Sequence, residues 1–364
     1  MELPSDFVVS YDTHSPISII GDTDLNDTAI AEGWAGSGNS TDPFRIEGWE
    51  ITGTLTLILI NGVTLHFVIS NCYLNNTGAA PGDYGIYIVN SANGTIEDTE
   101  IHGGYHGLFI GLSEDVYVDN TQVSGASSHG IYIPNSENIT LFECHSFMSL
   151  SGMLSHTTDN LTLEGNTFFS NAGEGVNLYY SDFCAASENT VYSNEGSGIL
   201  VYDSHNSSFL SNVIYNNSYS APDTGIHAEQ NDNGTIIDNE IYDNVWAGIG
   251  LIGGNNWHIE ANQLYNNSGY GISGQMGENV TIVSNNITHN GWWGEYVRES
   301  GICINAASHW SIESNNIWNN SASGIYIFSS AQNCTISNND IWINRNNGIY
   351  GDDSFTCRRE HASS

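Results

Sequence analysis

The sequence predicts an all-β fold, a parallel solenoid wound from short coils. Three observations carry that reading. Residues 301 to 347 hold two lines, GICINAASHWSIESNNIWNNSAS and GIYIFSSAQNCTISNNDIWINRNN, which superpose almost residue for residue. Their opening glycine recurs at Gly85, Gly107, Gly130, Gly152, Gly175, Gly198, Gly225, Gly248, Gly271, Gly301, Gly324 and Gly348, at intervals of 22, 23, 22, 23, 23, 27, 23, 23, 30, 23 and 24 residues. Each interval contains three brief β-rich segments divided by polar turn residues. The period is too short for a propeller blade, and the leucine phrase of a leucine-rich repeat is missing. It fits one coil of a β-solenoid, whose coils stack at about 4.8 Å. Roughly 12 to 13 coils would make a rod about 60 Å long.

Residues 1 to 45 do not repeat. They carry one short helical pattern, Asp27 to Glu32, and form the natural cap of the first coil. Residues 46 to 350 are the solenoid, opening on ITGTLTLILINGVTLHFVISNCYL with two irregular turns. Apolar residues after each opening glycine face inward, as in Ile86 and Ile88 or Ile325 and Ile327. A second inward column runs Leu74, Ile101, Val123, Phe147, Phe168, Val191, Ile214, Ile241, Leu264, Ile287, Ile317 and Ile341. Two residues before each member stands a polar turn position, always Asn from Asn166 to Asn339. Three residues after each member a second run of Asn extends from Asn171 to Asn344. These are asparagine ladders: Asn tolerates the left-handed backbone of a tight turn, and its amide bonds the same amide one coil away. The early coils carry Cys72, Thr99, Thr121 and His145 at the first position instead. Residues 351 to 364 read as an irregular tail, and the last repeat, from Gly348, stops in mid-coil. The six cysteines match no zinc template and read mostly as small buried hydrophobes.

The coil phrase Gly-Ile-x-Ile … Thr-Ile-x-x-Asn-x-Ile-x-x-Asn resembles the right-handed parallel β-helix of the pectate-lyase-like superfamily. The opening Gly-Trp-x-Gly-Ser-Gly … Asp-Pro-Phe-x-Ile-Glu, residues 33 to 47, looks like NosD-like archaeal cell-surface proteins. That superfamily includes polysaccharide lyases, hydrolases, epimerases, a copper-site accessory protein and non-catalytic surface proteins. The resemblance implies the fold and leaves the function open.

Charge narrows the partners. Asp and Glu total 41 against five Arg and no Lys, a net charge of −36. Nucleic acid, anionic lipid and polyuronates are excluded unless cations intervene. No 18-residue apolar run is present, so no membrane insertion is expected, and MELPSDFVVSYD lacks the segments of a signal peptide.

Several constellations could carry chemistry. Glu97, Asp119, Glu143 and Glu164 recur on four consecutive coils. Like charges so spaced call for raised pKa values or a hard cation, Ca²⁺ by preference; the plainer reading is a solvated acidic surface, and a third is a glycosidase carboxylate pair. His106 and His129 precede opening glycines, with His102 nearby, and three imidazoles could hold a transition metal. An aromatic column runs Phe169, Tyr192, Tyr215, Tyr242, Tyr265, Trp318 and Trp342, broken by Thr288, with a shorter one at Tyr87, Phe109 and Tyr132. Such columns either stack on themselves or offer glycan or protein contacts. Two coils carry insertions, NNSYSAPDT and NGWWGEYVRES; the second places Trp292, Trp293, Tyr296 and Arg298 for glycan or partner contact. One Arg and no Lys is poor material for a lyase. Sequons at Asn75, Asn93, Asn138, Asn160, Asn206, Asn216, Asn266 and Asn319 fit an extracellular glycoprotein.

The leading reading is a non-catalytic extracellular or cell-surface structural protein, a surface-layer, sheath or fibre component. It would self-associate and bind Ca²⁺ or glycans, with no organic cofactor. The alternatives are a carbohydrate-active hydrolase or lyase on a β-helix, and a copper accessory protein using His102, His106 and His129.

Overall fold

A computed structural model describes residues 11–218, 223–291, 299–329, 331–351 and 356–360. Its strands form three parallel sheets of fourteen strands, each sheet taking every third strand of the chain. The first sheet begins at Asp12–Thr13, the second at Ile17–Ile20 and the third at Phe44–Glu47. Every coil therefore gives one strand to each sheet, which is a β-solenoid. Alternate side chains point into the rod, and a continuous aliphatic core of the Ile86, Ile101, Val191 and Ile317 type runs along it.

The segment expected only to cover the first coil also supplies strands to it, at 12–13, 17–20 and 44–47. Its helix spans Gly21–Glu32, longer than Asp27 to Glu32, and buries Leu25 and Ala29. Asp24 accepts the Ile20 N–H at 2.7 Å, and Asp22 accepts the Thr64 and Leu65 N–H groups at 2.6 and 3.1 Å. The Asp22 bonds seat the helix against the next coil.

The asparagine ladders are present, but their backbone is not the left-handed part. The residue before each ladder position takes positive φ, as at Glu188 (56°), Asp238 (56°) and Ser284 (60°). The ladder Asn itself turns inward and is buried. Asn239 shows the logic: its Oδ1 accepts the Asn212 N–H at 2.8 Å and the Asn212 amide at 2.9 Å, while its Nδ2 donates to Phe209 O at 2.9 Å. A third ladder stands at the remaining corner, built from hydroxyls: Ser91, Ser113, Ser136, Thr158, Ser181 and Ser204 each accept the N–H of the coil before, until Asn231 takes over.

One coil departs from the register read in the sequence. Ser146, not Phe147, pairs with Val123 and faces inward; Phe147 pairs with Phe169 on the outside. A one-residue slip exchanges the faces of a strand. Cys144 rather than His145 then holds the ladder position, where it receives the Asn166 side chain. The tail is not wholly irregular either. Thr356–Glu360 pairs with Gln332–Ser337, aligning Cys357 with Cys334. An open strand edge is a template for pairing, and the last coil uses it. Cys72, Cys144 and Cys184 are buried and free, and Cys303 and Cys334 are buried as well.

The opening glycines mark the closest approach of successive coils. A Cβ on Gly198 would stand 2.6 Å from Ile214 Cγ2 and 2.7 Å from Gly225 O. The repeat is thus fixed by space at this corner and by hydrogen bonds at the ladder corners.

Asn239→Ala should leave the Asn212 N–H and the Phe209 carbonyl buried without partners. At about 1–3 kcal/mol per orphaned group, the loss is expected near 3 kcal/mol, read by urea unfolding.

Candidate functional site

In each strand that follows an opening glycine, the first and third residues enter the core and the second faces out. The outer row of the second sheet therefore reads Tyr87, Phe109, Tyr132, Leu154, Asn177, Leu200 and His227. This face differs from the aromatic column on the first sheet. There Phe147, Phe169, Tyr192, Tyr215, Tyr242 and Tyr265 stack at 4.7–5.1 Å with interplanar angles of 2–15°. Trp318 and Trp342 continue beyond Thr288 at 4.8 Å. Rings stacked this way spend their faces on one another, so that column stabilises rungs and offers no sugar platform.

On the early coils of the second sheet the rings of the outer row are tilted. Tyr87 and Phe109 meet at 40°, and Phe109 and Tyr132 at 82°. Beside them Tyr84, His106 and His129 stack at 5.5 and 5.3 Å. His106 Nδ1 accepts the His129 N–H at 3.3 Å, which puts the His106 proton on Nε2. His129 Nδ1 is buried with no partner. Burial, with His129 as neighbour, pushes His106 down to about 3, and burial pushes His129 down to about 4. Both rings are neutral at pH 7.

Further along the same face lies a polar group. Asn177 leaves the core yet is only 7% exposed, and its Oδ1 has no hydrogen-bond partner. Around it stand Tyr179 and Tyr202, whose rings lie 5.4 Å apart, and Glu174, whose Oε2 accepts Ser151 Oγ at 3.4 Å. His227 Nε2 lies 3.8 Å from Glu229 Oε2. Burial first, then the charges of Glu174 and Glu229, raise the Tyr179 phenol. Burial and Glu174 raise the Asp223 carboxyl, with His227 acting in the opposite sense.

The structure does not assemble the carboxylates Glu97, Asp119, Glu143 and Glu164 into one column. Glu97 and Asp119 are register partners, but Phe142 and then Glu164 continue the row. Glu143 sits at a left-handed corner, φ 50°, a consequence of the same local register. Arg45 holds Glu97 at 2.8 Å and also Glu47. Asp119 stays crowded: burial, then Asp98, Glu143 and Glu97 raise its carboxyl. His102 lies in the first sheet, bonded to Ser124 Oγ at 2.8 Å and tilted at 47° against Tyr73, and shares no partner with His106 or His129. Trp292, Trp293, Tyr296 and Arg298 lie outside the described residues. Of the sequon asparagines, Asn138, Asn160, Asn206, Asn216, Asn266 and Asn319 are exposed at corners of positive φ, while Asn75 and Asn93 are half-buried. Among the described residues, no three His, Cys, Asp or Glu side chains come together to hold a metal ion.

Sequence reading missed Asn177, Glu174 and Asp223. The one signal available was that Asn177 stands where neighbouring coils carry Leu154 and Leu200.

The family described as "Periplasmic copper-binding protein (NosD)" matches residues 47–246, and "Right handed beta helix region" matches residues 224–363. No curated protein matches the sequence. Solved structures of similar fold include the Azotobacter vinelandii mannuronan C-5 epimerase AlgE4 A-module, 16% identical over 95% of this chain and 100% of that one, with a TM-score of 0.54. The periplasmic alginate epimerase AlgG is 13% identical over 96% of this chain and 85% of that one, TM-score 0.54. DFA-IIIase from Arthrobacter chlorophenolicus A6 is 11% identical over 86% and 88%, TM-score 0.53. At such identities the likeness shows the fold alone, a right-handed parallel β-helix.

The buried imidazoles give a pH dependence. Both native values lie below the ordinary 6.5, so below that pH the unfolded chain takes up protons that the native chain refuses. The contribution is complete above pH 6.5 and is lost as pH falls toward 4 and then 3, roughly 2 kcal/mol per ring by pH 5. Thermal melts of His106→Phe should fall less between pH 7 and pH 5 than those of the unaltered protein.

Proposed function

The chain belongs to the family described as periplasmic copper-binding protein (NosD), and from that membership together with the geometry of the second sheet we propose an extracytoplasmic β-helix that binds a neutral glycan along this face. The family's description places its members in the periplasm, and among the described residues no helix is long and apolar enough to cross a membrane.

Copper does not fit the described side chains. Burial pushes the thiols of Cys72, Cys144 and Cys184 up to about 11, 12 and 12, so they stay protonated and are poor ligands. His106 and His129 lie parallel at 5.3 Å, and His106 Nδ1 is already engaged, so their lone pairs do not converge on one ion. Imidazole–metal bonds of about 2.0–2.1 Å need convergence. Met153 is in the core.

The observation that carries the glycan reading is Asn177. A buried amide without a partner costs about 1–3 kcal/mol, and tertiary structure retains one where a ligand completes it. Tilted aromatic faces at one end of the row and paired tyrosines beside Asn177 supply the apolar part of a sugar site. With a net charge of −36, the surface repels polyanions, which leaves neutral chains. A surface-layer or fibre role shares this location, and the rod would then carry the glycan face as one of its three sides.

Asn177→Leu separates ligand binding from folding. Its row neighbours are Leu154 and Leu200, so leucine suits the space. Replacing the unpaired amide should raise the melting temperature while weakening neutral oligosaccharide binding about tenfold or more, read by calorimetric titration. Unchanged binding to every oligosaccharide that the unaltered protein takes up would remove Asn177 from the site. Tyr132→Ala should weaken binding to long chains more than to short ones.

A further inference from the structure

We propose that Glu174 and Asp223 form a carboxylate pair that hydrolyses a glycosidic bond of the neutral glycan held on this face, Asp223 as general acid and Glu174 as nucleophile. The inference rests on the glycan-binding reading.

The placement follows from the coils. Glu174 precedes the opening Gly175, and Asp223 precedes Thr224, whose N–H donates to Ser197 Oγ at 3.0 Å on the coil between them. That intervening coil presents Gly196, which has no side chain to separate the acids. The Glu174 carboxyl carbon leans over it, 3.3 Å from where a Cβ would stand. Asp223 follows Gly196 by one coil, about 5 Å along the rod, so the Glu174 carboxyl, in contact with the Gly196 position, faces Asp223 across a single coil spacing. A separation of about 5–5.5 Å belongs to the retaining double displacement. Ser151 Oγ donates to Glu174 Oε2 and orients it. Asn177, in the strand that begins two residues after Glu174, carries its unpaired buried Oδ1 on the outward side of this sheet, where a sugar hydroxyl would complete it.

Electrostatics assign the roles. Asp223 is raised by burial and by Glu174, so it holds a proton longer than an ordinary aspartate, as a general acid must. The other titratable groups that face the pair are Tyr179, Tyr202, His227 and Glu229.

In the first step a Glu174 oxygen bonds the anomeric carbon as the glycosidic C–O bond breaks. The departing oxygen takes the Asp223 proton. In the second step water gives a proton to the Asp223 carboxylate, its oxygen bonds the anomeric carbon, and Glu174 leaves with its electron pair. The balance is one glycosidic bond and one water for two hydroxyl ends, with no oxidant or reductant.

The test uses the full chain with cello-, xylo-, manno- and malto-oligosaccharides, following binding by calorimetry and cleavage by new reducing ends. The expected result is cleavage of at least one ligand that binds, with the anomeric configuration retained by NMR. Glu174→Gln and Asp223→Asn should each lower turnover about a thousandfold while affinity and melting temperature change little. Binding without cleavage, or turnover in either variant equal to that of the unaltered protein, overturns the catalytic assignment and leaves the glycan site standing. Inversion of configuration overturns Glu174 as nucleophile. If none of the oligosaccharides binds, the glycan reading fails and this inference fails with it.

Discussion

Every coil of this protein depends on the next one for its polar accounting. At each ladder corner a buried N–H has no acceptor in its own coil and bonds a side chain one coil further on, as Asn189 does with Asn212 at 3.0 Å. Burying such a group unpaired costs about 1–3 kcal/mol, so a coil cannot change length inside a strand without orphaning its neighbours. Length changes are pushed to segments between corners. The 27- and 30-residue intervals obey this: the ladder bonds continue across both, from Asn212 to Asn239 and from Asn285 to Asn315. Stacking of this kind makes the rod quasi-one-dimensional, with stability set by neighbour-to-neighbour terms.

That constraint fixes the inward and corner residues and releases the outward ones. Two faces use the freedom differently. On the first sheet, rings repeat at the same position and stack face to face, so identity from coil to coil again adds stability. On the second sheet the outward residues change at each coil from Tyr87 to Cys303, through phenylalanine, leucine, asparagine and histidine. Variation there forfeits the stacking gain of about 0.5–1.5 kcal/mol per aromatic pair. It is the expected mark of a surface whose residues answer to something other than the fold.

The repeat made the fold legible because core, ladders and aromatic column are statements about many residues at once. An error in one coil shows where that strength ends: the slip at Ser146 and Phe147 moved Glu143 into a carboxylate column it does not join. The hydroxyl ladder from Ser91 to Ser204 escaped notice because serine is common in turns for other reasons. The candidate site was hardly legible. Asn177 stands between two leucines, Leu154 and Leu200, in a row that varies from coil to coil and in a chain rich in Asn. The charge of Glu174 reaches Asp223 only across a coil of irregular length and over the bare backbone of Gly196, which no spacing rule announces.

Unsatisfied polar atoms give an independent reading of where function lies. Among the described residues, six buried side-chain atoms lack a hydrogen-bond partner: Trp34 Nε1, Trp49 Nε1, His129 Nδ1, Asn177 Oδ1, Thr224 Oγ1 and Ser300 Oγ. The two tryptophans lie near the N-terminal helix. The other four belong to one edge, in or just before the second-sheet strands His129–Pro134, Val176–Tyr179, Ile226–Glu229 and Ile302–Asn305. A fold that satisfies its corners with three ladders has the means to satisfy these positions too, since a leucine or alanine at each would remove the need. Their place along a single edge, beside tilted rings and the Glu174 carboxylate, accords with the glycan face proposed above. The four positions stand two, two and three coils apart, about 10, 10 and 14 Å along the rod, so a linear glycan could meet several of them without bending the rod or itself.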